Sequence, residues 1–319
     1  MSPHSPRSPC SCLSYAWVIL LLAWNAAAWA AAEVAVVLSE NSAPYQEVAE
    51  AVRSGLGLNQ GQGAQASVRV LPTESLESLR PQELSAIVAV GARATRAAAM
   101  SDLRAPVLGT LLPRNTFERI AEESGRMGDP GRFSAVFLDQ PTARQLDLIR
   151  LALPGFSRIG LLLGPESETL LGAMRDGVAG RRLRIVAQTV YAEKQLFPAL
   201  QRLQADADVL LALPDQVVFN SATIPNILLT TYRQRLPVVG FSAAYTRAGA
   251  VLALYSTPQQ IGSQAADMLR SALAKGLLPP PQYPREFAVS ANPHVARSLG
   301  LVIDDASSLT QKLREAEAR

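Results

Sequence analysis

From residue 34 onward, short apolar runs alternate with longer stretches whose apolar residues recur at helical spacing. VAVVL, residues 34 to 38, is unbroken; it ends in Ser39-Glu40-Asn41-Ser42 and meets Pro44, after which Tyr45, Val48, Val52 and Leu56 follow three or four residues apart. A run without polar alternation marks a strand covered on both faces, and the stripe behind a proline marks a helix that begins there. RIGLLLGPES, residues 158 to 167, nearly repeats the opening. The pattern predicts strands over 34–38, 67–71, 86–90 and 107–112, then over 158–163, 184–190, 209–213, 237–241 and 250–255, with a last one over 287–290. This strand-helix rhythm, played twice, predicts an α/β fold of parallel sheets with helices on both faces.

Helix boundaries are written locally. Pro141 is expected to open a helix carrying Leu146, Ile149 and Leu153 on one stripe, which Pro154 ends. In residues 257 to 276, Thr257 and Gln260 form a capping-box pair, Pro258 takes the first helical position and Gly276 is the stop. LLPPPQYP, residues 277 to 284, reads as an extended connector, and a short helix starts at His294. The polar segment from Asp304 is helix-prone and reads as a solvated, partly frayed end.

Composition narrows the chemistry. The first 32 residues carry Arg7, the apolar AWVILLLAW at 16–24 and small-residue cleavage patterns at Ala28-Trp29-Ala30 or Ala30-Ala31-Ala32, which is a secretory signal and predicts the periplasm. Its apolar core falls short of the roughly 20 residues of a membrane span. The two cysteines, Cys10 and Cys12, precede that core, where a lipid-anchoring cysteine would follow it. Beyond the signal only His294 remains of the two histidines, so disulfides, thiolate chemistry and multi-histidine metal sites are excluded, and a Ser-His-Asp triad would depend on one residue. The net charge of +3 is scattered, with no basic stripe for nucleic acid or a membrane surface. GLGLNQGQG follows a helix and lacks the Lys-Ser/Thr ending of a phosphate loop; it reads as a flexible link, and no cofactor is expected. A remainder this long and 48% apolar suits two lobes.

Parallel sheets take up ligands beyond the carboxyl ends of their strands. Four such ends carry polar loops: Ser39 to Ser42, Gly91-Ala92-Arg93-Ala94-Thr95, Gly164 to Ser167, and Pro214-Asp215-Gln216. Free N–H groups at the following helix starts suit an anion, Arg93 adds a paired contact, and Glu40, Glu166 or Asp215 suit an amine or hydroxyl. Each residue has a plainer reading as a helix cap or exposed loop charge. Glu40 with Glu166 as a glycosidase pair has no spacing to support it. Phe219 and Tyr232 are expected to pack on helices, while Tyr45, Tyr245 and Tyr255 are candidates for cleft walls.

Three ordered blocks, at residues 137–167 (FLDQPTARQLDLIRLALPGFSRIGLLLGPES), 209–242 and 248–276, resemble the ABC-transporter substrate-binding proteins of the tryptophan/tyrosine-binding type. The resemblance runs from about Glu33 to Leu301. It implies a two-lobed type I periplasmic-binding-protein fold with crossovers near 138–141 and 254–257: one lobe from 33–139 and 257–283, the other from 140–256 and 284–303, then a polar tail over 304–319. It also implies ligand contacts at Ser39, Glu40 and Asn41, Ala92 to Thr95 (Ala92, Arg93, Ala94, Thr95), Asp139, Glu166, Ser167, Asp215, Gln216, Ser242 and Tyr255. Members that bind aromatic amino acids carry a serine-rich run and an Asp-Tyr-Tyr-like segment where this chain has GPESE and YSTPQ. The implied function is a monomeric, non-enzymatic protein that closes on a small polar or amphipathic solute and delivers it to an ABC permease. A sensor of the same fold, signalling to a membrane receptor system without transport, is the alternative. On either reading Arg93→Ala and Asp215→Ala would abolish ligand-induced stabilisation and leave the unliganded melt almost unchanged.

Overall fold

The computed structural model describes residues 32–57, 66–80 and 84–318. The signal-like leader with its cysteines and His4, and the glycines at 61 and 63, lie outside the described residues. The first of two sheets is wholly parallel, in the order β2-β1-β3-β4-β5, built from β1 (Ala32–Leu38), β2 (Ala66–Pro72), β3 (Leu84–Val90), β4 (Val107–Leu112) and β5 (Phe133–Phe137). The second contains β6 (Arg158–Leu163), β7 (Arg184–Thr189), β8 (Val209–Leu211), β9 (Val238–Gly240), β10 (Leu252–Tyr255) and β11 (Ala288–Ala291), in the order β11-β10-β9-β8-β6-β7. Its pairings are parallel except that β11 runs antiparallel to β10.

The unbroken apolar runs are explained by what covers them. In β1, Val34 and Val36 face a core shared with α1 (Ala43–Gly55) and α9 (Pro258–Lys275), whereas Ala35 and Val37 face α2 (Ala92–Met100) and α3 (Arg114–Glu123). Because strand side chains alternate, both faces demand apolar residues and alternation vanishes from the sequence. β6 behaves likewise: Ile159, Leu161 and Leu163 pack with α4 (Thr142–Ala152), while Leu162 packs with α6 (Leu196–Asp206) and α7 (Ile224–Arg233).

Three connections pass between the sheets. Residues 138–141 lead from β5 into α4, residues 256–257 lead from β10 into α9, and residues 276–287 return from α9 to β11. α9 is set by its expected signals: the Thr257–Gln260 capping box forms in both directions, Pro258 opens the helix, and Gly276 closes it at φ 80°. It lies so close to α1 that a Cβ on Gly262 would come within 2.7 Å of the Ala51 Cβ and the Val48 carbonyl oxygen.

Four expectations change. β5 is a fifth strand that the pattern did not predict: FSAVF is only five residues long, and its one polar residue, Ser134, is buried with its hydroxyl donating to the Pro279 carbonyl at 2.6 Å. The C-terminal segment is no frayed end. After α10 (Pro293–Ser298) it forms α11 (Ala306–Glu317), capped by Asp305, with Leu309 and Leu313 fully buried in the second core. Two leucines four residues apart make a narrow stripe inside a polar composition, yet each contributes about 1.5–3 kcal/mol on burial, enough to hold the end. Pro141 is the residue before α4 instead of its first helical residue. Tyr232 is 43% exposed, a surface residue of α7.

Candidate functional site

At the first sheet, the chain leaves β1 through Ser39, which is buried and held by its N–H to the Val90 carbonyl (2.9 Å). Its hydroxyl accepts the N–H of Ala94 at 2.8 Å, so the free donors expected at the start of α2 are partly taken by the neighbouring loop. Gly91 permits this approach. It sits at φ 88°, and a Cβ there would strike the Ser39 hydroxyl and the Tyr45 ring, each at 2.7 Å. Arg93 is exposed and paired with Glu74 and with the Ser39 carbonyl. Glu40 and Asn41 are exposed, and Asn41 accepts from Gln46 at 2.8 Å. Ser39, Glu40, Asn41 and Arg93 thus line one depression of about 340 Å³, which Gln46 and Glu74 complete. Ala94 and Thr95 are not available there: both are fully buried, and the Thr95 hydroxyl donates to the Gly91 carbonyl at 2.9 Å. Ala92 is exposed.

The second sheet treats its strand ends differently. After β6 the chain makes turns over residues 165–169 before α5 (Leu170–Gly177), and after β8 it turns over 216–223 before α7. Four of the backbone N–H groups in these loops are already bound by Asp215. Its Oδ2 accepts from the N–H of Glu166 (2.9 Å), the N–H of Ser167 (3.0 Å) and the Ser167 hydroxyl (3.0 Å), while its Oδ1 accepts from the N–H of Val217 (2.9 Å) and Val218 (3.3 Å). Asp215 is 3% exposed and Ser167 is fully buried. Asp215 is therefore an internal anion seated where an anionic ligand was expected, and Gly164 leaves it room, since a Cβ there would lie 2.2 Å from Oδ1. Glu166 and Gln216 remain at the rim, joined by the Gln216 N–H to the Glu166 carboxylate at 3.2 Å.

Between the sheets lies the first connection. β4 carries a register shift between Thr110 and Leu112, with Leu111 at φ 51° in the left-handed region, and the chain then presents the N–H of Arg114 to the Asp139 carboxylate. Asp139 is 9% exposed, and among the described residues it has no ion pair. Burial is the main cause that pushes its pKa up to about 6, against the opposing pull of backbone N–H donors. A cavity of about 20 Å³ adjoins it, bordered by Gln140, Gln145 and an apolar wall that includes Leu211, Phe241 and Leu254. Ser242 precedes α8 (Ala243–Ala248), and Tyr255 ends β10; both are partly exposed.

Tyr245 does not wall a cleft. It is 3% exposed in the second core, with its ring 4.7 Å from Phe241, and its buried hydroxyl lacks a partner among the described residues. Burial raises its pKa. Gly240 makes the space, since a Cβ there would come within 2.3 Å of the tyrosine ring. Glu74, Gln46, Gln140 and Gln145 went unnoticed in the sequence, where they are single polar residues with no distinguishing spacing. Among the described residues no group of three or more His, Cys, Asp or Glu side chains could hold a metal ion, and no helix is long and apolar enough to cross a membrane.

The family model described as ABC transporter substrate binding protein matches residues 136–311, more than half of the chain. No curated protein matches. Among solved structures the chain is similar to an ABC domain in complex with L-Trp from Streptococcus pneumonia (15% identity, TM-score 0.61, covering 88% of this chain and 98% of that one). It is also similar to ligand-free, open CD0873, a substrate-binding protein with adhesive properties from Clostridium difficile (14%, 0.69, 86% and 96%). A third is a periplasmic ribose ABC transporter from Conexibacter woesei (14%, 0.53, 88% and 98%). At these identities the likeness is one of fold: two α/β lobes with helices on both faces of each sheet.

Proposed function

The chain belongs to the ABC transporter substrate-binding proteins, and from that premise we propose that it is the periplasmic solute-binding component of an importer, closing two hinged lobes on a small polar or amphipathic molecule for an inner-membrane permease. It acts as a monomer and catalyses no reaction. The lobes are 33–139 with 257–283 and 140–256 with 284–303. The observation that carries the reading is the crossing pattern. Three connections between two sheets form a hinge, and the carboxyl ends of β1 and β3 on one side and of β6 and β8 on the other carry the polar loops. In the closed state Ser39, Glu40, Asn41 and Arg93 meet the solute from the first lobe, and Glu166, Gln216, Ser242 and Tyr255 meet it from the second. Asp139 meets it at the hinge. Asp215, Ser167, Ala94 and Thr95 shape these loops from behind. The ligand drives closure only to the extent that it binds the closed form better than the open one.

A thermal-shift screen of amino acids, short peptides, sugars, nucleosides and organic acids tests the binding half of this reading. A solute at a hundred times its dissociation constant should stabilise the fold by about 2.7 kcal/mol. Uptake of that solute by cells lacking the partner permease tests the transport half; unchanged uptake would leave binding without import.

A further inference from the structure

We infer that Arg144 is the positioning residue of the hinge: it ties all three connections between the lobes to α11, so that the Glu317 carboxylate on that helix governs how freely the lobes turn. The inference rests on the two-lobed, hinged reading above and adds a control point to it.

Arg144 lies on α4 and is only 6% exposed, a place where a guanidinium must have its donors engaged. Four of its five N–H groups have acceptors. Nε and Nη2 donate to the two carboxylate oxygens of Glu317, at 2.5 and 3.2 Å, fork against fork. Nη1 donates both to Oε1 of Gln140, at 2.7 Å, and to the Pro284 carbonyl, at 2.9 Å. The central carbon of the guanidinium stands 4.3 Å from the centre of the Phe287 ring.

Gln140 passes the tie on. Its Oε1 accepts from Arg144, which leaves Nε2 to donate to the Ser256 hydroxyl at 2.9 Å, and that hydroxyl donates to the Glu286 carbonyl at 2.6 Å. Gln140 belongs to the first connection, Ser256 to the second, and Pro284 and Glu286 to the third. Three segments far apart in sequence thus converge on one buried guanidinium. The third connection also shows where it turns. Gln282 is bridged to β5, and the N–H of Arg285 is held by Gln264 of α9 at 2.8 Å, both in the first lobe, whereas residues 288–291 pair with β10 of the second. From a helix of the second lobe, Arg144 reaches a carbonyl anchored on the first.

Apolar residues of like volume would fill this space without the cost of desolvating two charges, so cohesion alone does not require an arginine here. What the guanidinium supplies is direction, in bonds that fix three slender segments relative to one another. With the segments tied, the lobes turn in one concerted motion. Without the Glu317 carboxylate the guanidinium loses its counter-ion, its hold on Gln140 and Pro284 weakens, and the connections bend separately.

Spin labels on the full chain read this directly. In a background of Cys10→Ser and Cys12→Ser, the exposed positions Met100→Cys on α2 and Leu229→Cys on α7 carry one label per lobe, and pulsed electron resonance gives the distribution of lobe-to-lobe distances with no solute present. Glu317→Gln and Arg144→Met should each widen that distribution about twofold. Ser256→Ala, which frees the second connection alone, should widen it less. Arg158→Gln is the control for a merely structural ion pair, since Arg158 forks to Asp208 within the second lobe, and it should leave the width unchanged. Equal widths in Glu317→Gln and the unaltered chain, or equal widening in Arg158→Gln, overturn the inference. Glu317 is partly exposed, so its variant keeps the test decisive even where Arg144→Met does not fold. The two readings fail separately: the screen finds or misses a stabilising solute whatever the widths, and the widths differ or agree whether or not a solute binds.

Discussion

Two buried aspartates stand just beyond strand ends, Asp139 after β5 and Asp215 after β8, and their surroundings could hardly differ more. Asp215 accepts five hydrogen bonds and staples two loops of the second lobe. Asp139 is buried too, yet it holds backbone donors only and forms no ion pair among the described residues. A carboxylate whose lone pairs are all engaged contributes to the fold and has nothing to offer a solute. A carboxylate that is desolvated without a counter-ion costs the unliganded protein free energy that a cationic group would recover. Burial is shared by the two; the number of donors separates the structural residue from the one proposed to meet the solute.

The largest effect is expected from Asp215→Ala. It strands the N–H groups of Glu166, Ser167, Val217 and Val218 in a buried to half-buried site, and a loss of about 4 kcal/mol should appear in chemical denaturation. A melt like that of the unaltered protein would dissolve the contrast. Asp139→Asn should move the other way. Because its folded pKa of about 6 lies above the ordinary carboxylate value, the folded state holds this proton more tightly than the unfolded one. Stability from this group is therefore greatest below about pH 4, falls as pH rises toward 6, and is lowest above it. The neutral amide should gain about 3 kcal/mol at pH 7.5 and almost nothing at pH 3.5. The charges that bear on this titration are Arg114 and Glu118. Ser39→Ala comes third: it removes the acceptor for the Ala94 N–H at the start of α2, worth about 1 kcal/mol.

How much of this could be read from the chain depends on whether the signal is local. The capping box at Thr257, the stop at Gly276 and the doubly covered strands are written in adjacent residues, and the structure carries them out. The role of Asp215 is not local. Four of its five donors lie in pairs, one pair within three residues and the other, with the Ser167 hydroxyl, nearly fifty residues away, so Pro214-Asp215-Gln216 reads as an exposed loop until the loop from β6 is brought beside it. That is why the expectation of an unchanged Asp215→Ala melt is reversed. Gln145 is a similar case, since a buried acceptor without a partner is defined by what surrounds it and not by its neighbours in sequence. β5 and the burial of α11 went unread for the opposite reason: their apolar signals, FSAVF and two leucines, are local but brief.

The smallest effect on stability should come from Arg93, and it bears on whether the exposed pocket of the first lobe belongs with Asp139 or with Asp215. Arg93 is paired with Glu74 while both side chains remain more than half exposed, so the pair contributes little to the fold, and Arg93→Ala should leave the unliganded melt nearly where it was. Its second contact, to the Ser39 carbonyl, ties the guanidinium to the rim of the 340 Å³ depression. If Arg93 meets an anionic part of the solute, it must first surrender Glu74, and Glu74→Gln should then tighten binding severalfold while Arg93→Ala weakens it, both read by titration calorimetry with a solute from the screen. Equal affinity in both variants would place Arg93 with Asp215, a residue that serves the loop alone. A response in opposite directions would instead put a cation at one end of the cleft and a carboxylate at the other, the arrangement needed to hold a solute that carries both charges.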